Sequence, residues 1–278
     1  MTDGPGQVRS ARSLLFVPAD RPERFGKALR SGADVVVIDM EDSIDPSGKA
    51  VARDNVSRWL RADGAGLVRV NASGTSWHDR DVAEIANSAC GPIGVVLPKA
   101  SGSAQIAELL GRLPEGSFVL PLIETAAGVL DAREICSAQG VVRLAFGNGD
   151  LSAQLGVAHD DLAALAHARA QIVLASAAGG LPSPVDGVTT AIHDSGALIA
   201  DTEHAAALGF TGKLCVHPKQ IPVVHKVFAP SEADIRRARD VVASSRADAA
   251  ATVLDGELVD KPVVDHARRI LSIVENGR

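Results

Sequence analysis

The chain has 278 residues, of which 46% are hydrophobic and 22% charged, so it can bury a core and is not disordered by composition. Two Trp, six Phe and no Tyr leave too few rings for base-stacking nucleic-acid modules. The formal charge of −6 does not attract polyanions, and a phosphate group would need a local basic patch.

Short β-branched runs alternate with segments of helical spacing along most of the chain. Strands are predicted at residues 14–17, 35–39, 67–70, 94–97, 118–122, 142–146, 183–186 and 213–216. Helices are predicted at 23–30, 47–60, 79–89, 103–110, 126–137, 160–178, 194–208 and 218–227. Such alternation implies parallel strands with crossover helices, and eight units in about 215 residues suit an α/β fold of the closed (β/α)8 TIM-barrel type. The pattern then changes. A helix is expected at 231–245 with Ser231 as its N-cap, a small-residue linker at 247–256, and a last helix at 261–274. The predicted organisation is therefore a flexible N-terminus at 1–12, a TIM-barrel catalytic domain at 13–229 and a C-terminal helical extension or lid at 230–278.

Cys90, Cys136 and Cys215 lie far apart with no Cys-x-x-Cys pair, which argues against a disulfide framework or thiolate zinc site and suits a reducing cytoplasm. No stretch approaches the roughly 18 apolar residues of a spanning helix. A soluble, cytoplasmic protein is expected.

Active sites of (β/α)8 barrels lie at the C-terminal ends of the strands. Here those ends carry Asp39-Met40-Glu41-Asp42, Arg69-Val70-Asn71, Pro98-Lys99, Glu124, Gly147-Asn148-Gly149-Asp150, Asp186 and His217. Glu124 and Asp150 are separated by 150 − 124 = 26 residues, one βα unit, which puts them on adjacent strands. Two carboxylates about 5 Å apart repel unless a cation or a shared proton intervenes. Hard oxygen ligands with open positions suit Mg2+; a shared-proton pair and a helix cap by Asp150 are the competing readings. None of the eight histidines shows His-x-x-x-His spacing, so an imidazole metal site is not expected.

Arg69 exits toward the same rim, where a guanidinium captures a carboxylate or stabilises an enolate oxygen; an ion pair with Glu41 or Asp42 is the alternative. Gly147 and Asn148 would let backbone approach a ligand closely. Arg21, Arg24 and Lys27 recur every three residues, so they would share one helix face, available to nucleotide phosphates or simply solvated; Lys49 is open to either use. Lys99 could form a Schiff base with a carbonyl substrate, but neighbouring acids would keep it protonated.

These residues resemble the citrate lyase β-subunit family, with malyl-CoA and citramalyl-CoA lyases among its relatives. The likeness is carried by residues 12–19, Asp39-Met40-Glu41-Asp42-Ser43, Arg69-Val70-Asn71, Leu97-Pro98-Lys99, Leu122-Ile123-Glu124-Thr125-Ala126, residues 146–151 and residues 212–220, all in order. The resemblance implies a Mg2+-dependent carbon–carbon lyase acting on a β-hydroxyacyl-CoA. Glu124 and Asp150 would be the metal ligands. Arg69, Glu41 and Asp260 would be catalytic. Arg21, Arg24, Lys27, Arg69, Lys99, Gly147 and Asn148 would meet the CoA thioester or the keto acid. The segment Gly256-Glu257-Leu258-Val259-Asp260-Lys261-Pro262 looks like the C-terminal lid of the CoA lyases, whose aspartate reaches a neighbouring subunit's site. A homo-oligomer, with a trimer favoured, is implied. A citryl-thioester lyase subunit serving an acyl carrier protein, a malyl-CoA thioesterase and a malate-synthase-like condensing enzyme remain alternatives.

Overall fold

A computed structural model describes residues 4–245 and 251–276. Eight parallel strands form a closed barrel in sequence order: β1 (Ser13–Pro18), β2 (Val35–Asp39), β3 (Leu67–Arg69), β4 (Gly94–Leu97), β5 (Phe118–Ile123), β6 (Ala145–Phe146), β7 (Val185–Asp186) and β8 (Gly212–Cys215). Strands β2 to β5 are mostly Val, Ile and Leu because their inner faces fill the barrel and helices cover their outer faces. All five residues of β2 are buried. Leu14, Val37, Leu67, Val96, Leu120 and Val185 belong to the core inside the ring.

The chain divides into two compact units, Met1–His225 and Lys226–Arg278. The first holds the barrel. Residues 5–10, expected as flexible, form a helix (Pro5–Ser10) whose Val8 is fully buried. Arg143, wholly buried two residues before β6, donates to the carbonyls of Val8 (3.0 Å), Ala11 (2.6 Å) and Ser183 (2.7 Å) and to Thr211 Oγ1 (2.9 Å). Burial lowers its pKa to about 9, against the opposing charge of Asp34. The predicted sixth and seventh strands shrink to two residues each, and the helix expected at 126–137 breaks at Asp131 into Ala126–Leu130 and Ala132–Ser137.

In the second unit Ser231 caps the helix Glu232–Ser244 through a reciprocal capping box with Asp234. The expected linker is different in the part described. Strands β9 (Ala251–Leu254) and β10 (Glu257–Asp260) pair antiparallel, followed by the helix Lys261–Asn276. The hairpin turns on Asp255 and Gly256, both at positive φ (51° and 82°), the backbone a two-residue primed turn requires and Asp-Gly supplies. Residues 247–250 of the expected linker lie outside the described residues. Among the described residues no helix is long and apolar enough to cross a membrane.

Candidate metal and acid–base site at the barrel mouth

Register places the acids. Ile123 of β5 pairs with Phe146 of β6, so Glu124, directly after β5, and Asp150, in the first turn of the helix Asn148–Leu155, leave neighbouring strands. Both line a cavity of about 280 Å3 with Phe16, Asp39, Arg69, Leu122, Phe146 and Val188. The helix cap reading for Asp150 does not hold, because Gly147 is the N-cap and Asp150 lies inside the first turn, where its charge still suits the helix N-terminus.

Asp39 and Arg69 are register partners at the ends of β2 and β3. Arg69 donates from Nε to Asp39 Oδ1 (2.6 Å) and from Nη2 to Oδ2 (2.7 Å). Its Nη1 stands 2.8 Å from Glu41 Oε2, an ion pair outside hydrogen-bonding angles, and 3.9 Å from Asp42. Arg69 also lies over the Phe16 ring at 4.8 Å. The alternative pairing with Glu41 and Asp42 is therefore present, but Asp39 is the main partner. Burial alone would raise the Asp39 pKa; the adjacent guanidinium more than offsets it and holds the carboxyl below its usual value. Arg69 moves the opposite way, since Asp39 and Glu41 outweigh its own burial and raise it.

Glu41 is 4% exposed. Burial raises its pKa, against the pull of Arg69 and Lys99. Lys99 spans the acids: its Nζ lies 2.8 Å from Glu41 Oε1, 2.7 Å from Asp150 Oδ2 and 3.8 Å from Glu124 Oε1. Burial would lower the Lys99 pKa, but these partners raise it, so it is a cation and a poor Schiff-base nucleophile.

Glu124 is 3% exposed. Its burial first, then the negative charges of Glu41 and Asp150, push its pKa up to about 8 against Lys99 and Arg69. Among these acids Glu124 thus favours its protonated form, and a divalent cation beside it would favour the ionised form instead. Among the described residues no group of three or more His, Cys, Asp or Glu side chains is arranged as metal ligands. Glu124 and Asp150, lining one cavity, would leave open positions around a cation, which fits Mg2+, an ion that keeps waters and accepts substrate oxygens.

Several expected contacts take other partners. The approach that Gly147 permits is to Glu124: a Cβ there would lie 2.4 Å from Glu124 Cβ and 2.5 Å from Oε2. The Asn148 amide donates to the carbonyls of His159 (3.3 Å) and Val188 (3.0 Å) and accepts from Val188 N–H (2.9 Å). That side chain is spent on backbone, so Asn148 can meet a ligand only through the cavity wall it helps form. Lys49 is buried and donates to Met40 O (2.9 Å), Glu41 O (2.8 Å) and Asn71 Oδ1 (2.6 Å); it anchors the loop after β2, and neither expected use, phosphate contact or solvated charge, applies.

No continuous helix presents Arg21, Arg24 and Lys27. Residues Pro22–Arg24 form a single 3-10 turn preceding the short helix Phe25–Leu29. Arg21 and Arg24 pair loosely with Asp20 (3.8 Å) and Glu23 (3.9 Å) in solvent. Asp186, one of the charged strand ends, is fully buried with Arg169 (2.8 Å) and Lys213 (3.0 Å) and does not line the cavity. In the second unit Asp260 ends β10 and accepts from Val263 N–H at 3.2 Å, capping the last helix. Asp39 is the site residue that sequence reasoning passed over as a partner; its place opposite Arg69 at two successive strand ends was the available signal.

The family model described as HpcH/HpaI aldolase/citrate lyase matches residues 12–218. A citrate lyase subunit beta-like protein of Mycobacterium tuberculosis is 40% identical over 265 residues, covering 92% of this chain and 93% of that protein. A (3S)-malyl-CoA thioesterase of Cereibacter sphaeroides is 32% identical over 278 residues, covering 97% and 96%. A solved structure of CitE from Mycobacterium tuberculosis, in complex with magnesium, acetoacetate and coenzyme A, superposes with a TM-score of 0.84 at 38% identity, covering 96% of this chain and 99% of that one.

Proposed function

The chain belongs to the HpcH/HpaI aldolase/citrate lyase family, and from that premise we propose that it is a Mg2+-dependent carbon–carbon lyase. It cleaves a β-hydroxyacyl-CoA of the citramalyl or malyl type to acetyl-CoA and an α-keto acid, pyruvate or glyoxylate, or runs the reverse condensation. The observation that carries this reading is the pairing of Glu124 and Asp150 at adjacent strand exits, in one cavity with Arg69. The magnesium and coenzyme A bound in the Mycobacterium tuberculosis relative support the cofactor and the thioester.

Glu124 and Asp150 would hold the cation, which supplies a Lewis acid for a keto-acid oxygen. The remaining roles fall to the chain itself. Arg69 is fixed by Asp39 and presents positive charge where a thioester enolate develops. Glu41 sits between Arg69 and Lys99 and holds both cations at the mouth. The apolar wall of Phe16, Leu122, Phe146 and Val188 excludes water, strengthening each of these interactions. Asp260, on the hairpin of the second unit, would deliver a proton to the enolate carbon in another copy of the chain, consistent with a homo-oligomer, a trimer favoured. Arg21, Arg24 and Lys27, exposed after β1, would meet the phosphates of CoA. A reducing cytoplasm is the compartment proposed.

A second reading has specific support in the thioesterase relative: hydrolysis of malyl-CoA at the same site. A panel of malyl-, citramalyl-, citryl- and hydroxymethylglutaryl-CoA with Mg2+ separates the two. A keto acid released with acetyl-CoA indicates the lyase: an α-keto acid from malyl-, citramalyl- or citryl-CoA, acetoacetate from hydroxymethylglutaryl-CoA. Free CoA without keto acid indicates the hydrolase, and neither product with any thioester would remove both.

A further inference from the structure

Lys99 touches both proposed metal ligands, and by two separate groups. Its backbone N–H donates to Glu124 Oε1 at 2.8 Å, and its ammonium meets Asp150 Oδ2 at 2.7 Å. In each carboxylate one oxygen is engaged. Among the described residues no hydrogen bond or ion pair reaches Glu124 Oε2 or Asp150 Oδ1.

We propose that Lys99 is a positioning residue for the divalent cation: it takes Glu124 Oε1 and Asp150 Oδ2 and so leaves Glu124 Oε2 and Asp150 Oδ1 as the oxygens open to the metal. This rests on the reading that Glu124 and Asp150 hold that cation.

Three further observations bear on it. Lys99 has φ +49°, a left-handed backbone uncommon for a residue with a side chain and typical of sites where surroundings enforce it. That conformation puts N–H and side chain to use on the same pair of acids. Glu41 Oε1, 2.8 Å from the ammonium, gives Lys99 a fixed third partner, so the arm is held from the β2 side as well. Glu124 Oε2 lies beside Gly147, where a Cβ would come within 2.5 Å of it, so only a residue without a side chain leaves Oε2 its place. Groups that hold metal-ligating carboxylates by hydrogen bonds set ligand orientation, and losing one costs about 10–100-fold in metal affinity.

The sign of the effect tests the proposal. An ammonium that was only a neighbouring charge would repel a dication, and removing it would tighten binding. A positioning lysine does the reverse. Titration calorimetry with Mg2+, or Mn2+ binding followed by electron paramagnetic resonance, is run on wild type, Lys99→Met and Lys99→Arg, with thermal unfolding without metal as the folding control. Lys99→Met is expected to weaken binding about 10–100-fold, and Lys99→Arg, which keeps a donor cation, to restore part of it. Affinity that is unchanged or higher in a folded Lys99→Met overturns the proposal. Glu124→Gln and Asp150→Asn are titrated in parallel: if neither weakens binding, it is the metal assignment that fails, and the Lys99 role with it.

Discussion

Asp39 and Arg69 face each other at the last register pair of β2 and β3, and the carboxylate takes two guanidinium nitrogens at 2.6 and 2.7 Å. A buried, bidentate pair fixes an arginine in one rotamer, which a stabiliser of developing charge requires. Breaking such a pair from one side costs about 3–5 kcal/mol, because the partner is left buried without its counter-charge. Asp39→Asn should therefore lower the unfolding free energy by an amount of that order and depress turnover. In a double-mutant cycle with Arg69→Met the losses should be strongly non-additive; additive losses would mean the two residues act separately.

Gly147→Ala should disturb the site without replacing a titratable residue. Its Cβ would overlap Glu124 Cβ and Oε2, and overpacking of this kind costs about 1–3 kcal/mol. The expected readout is a smaller Mg2+-induced rise in melting temperature than in wild type. Gly149→Ala is the control, because a Cβ there meets nothing within 4 Å. Equal shifts in both variants would contradict the crowding argument.

Asp260 is proposed as the proton donor of another copy's site, so Asp260→Asn should reduce kcat by about 10²–10⁴-fold with little change in CoA binding by calorimetry. Its cap to Val263 N–H is one an asparagine can still provide, which keeps the helix intact. Unchanged turnover would remove Asp260 from the chemistry.

The buried group of Asp186, Arg169 and Lys213 makes an acid-sensitivity prediction. Burial would raise the Asp186 pKa, but Lys213 and Arg169 more than offset it and hold it below its usual value. A carboxyl whose folded pKa is depressed stabilises the fold at pH values above its unfolded pKa, near 4. That contribution is lost as pH falls through the folded value. Stability measured by urea unfolding should thus fall below about pH 4, and Asp186→Asn, less stable at neutral pH, should show a shallower acid slope. An identical slope would contradict the assignment.

Much of the barrel was legible because its strands are Val- and Ile-rich runs closed by charged residues, and because one βα unit separates Glu124 from Asp150. What was missed has physical reasons. The helix Pro5–Ser10 is short and held in part by Arg143, a partner more than a hundred residues away. The hairpin β9–β10 was signalled by Asp255-Gly256 between Val253-Leu254 and Glu257-Leu258-Val259, but small residues ahead of it read as linker. The charged strand ends looked equivalent in sequence. Only packing separates Asp186, neutralised by Arg169 and Lys213, from Glu124, whose environment leaves its carboxyl raised to about 8.

The most direct test is a crystal structure with Mg2+ and pyruvate bound. The expected result is a cation at about 2.0–2.1 Å from one oxygen each of Glu124 and Asp150, with pyruvate oxygens completing its shell beside Arg69. A cation seated elsewhere, or those two carboxylates still satisfied by Lys99 alone with metal and pyruvate in the crystal, would contradict the account.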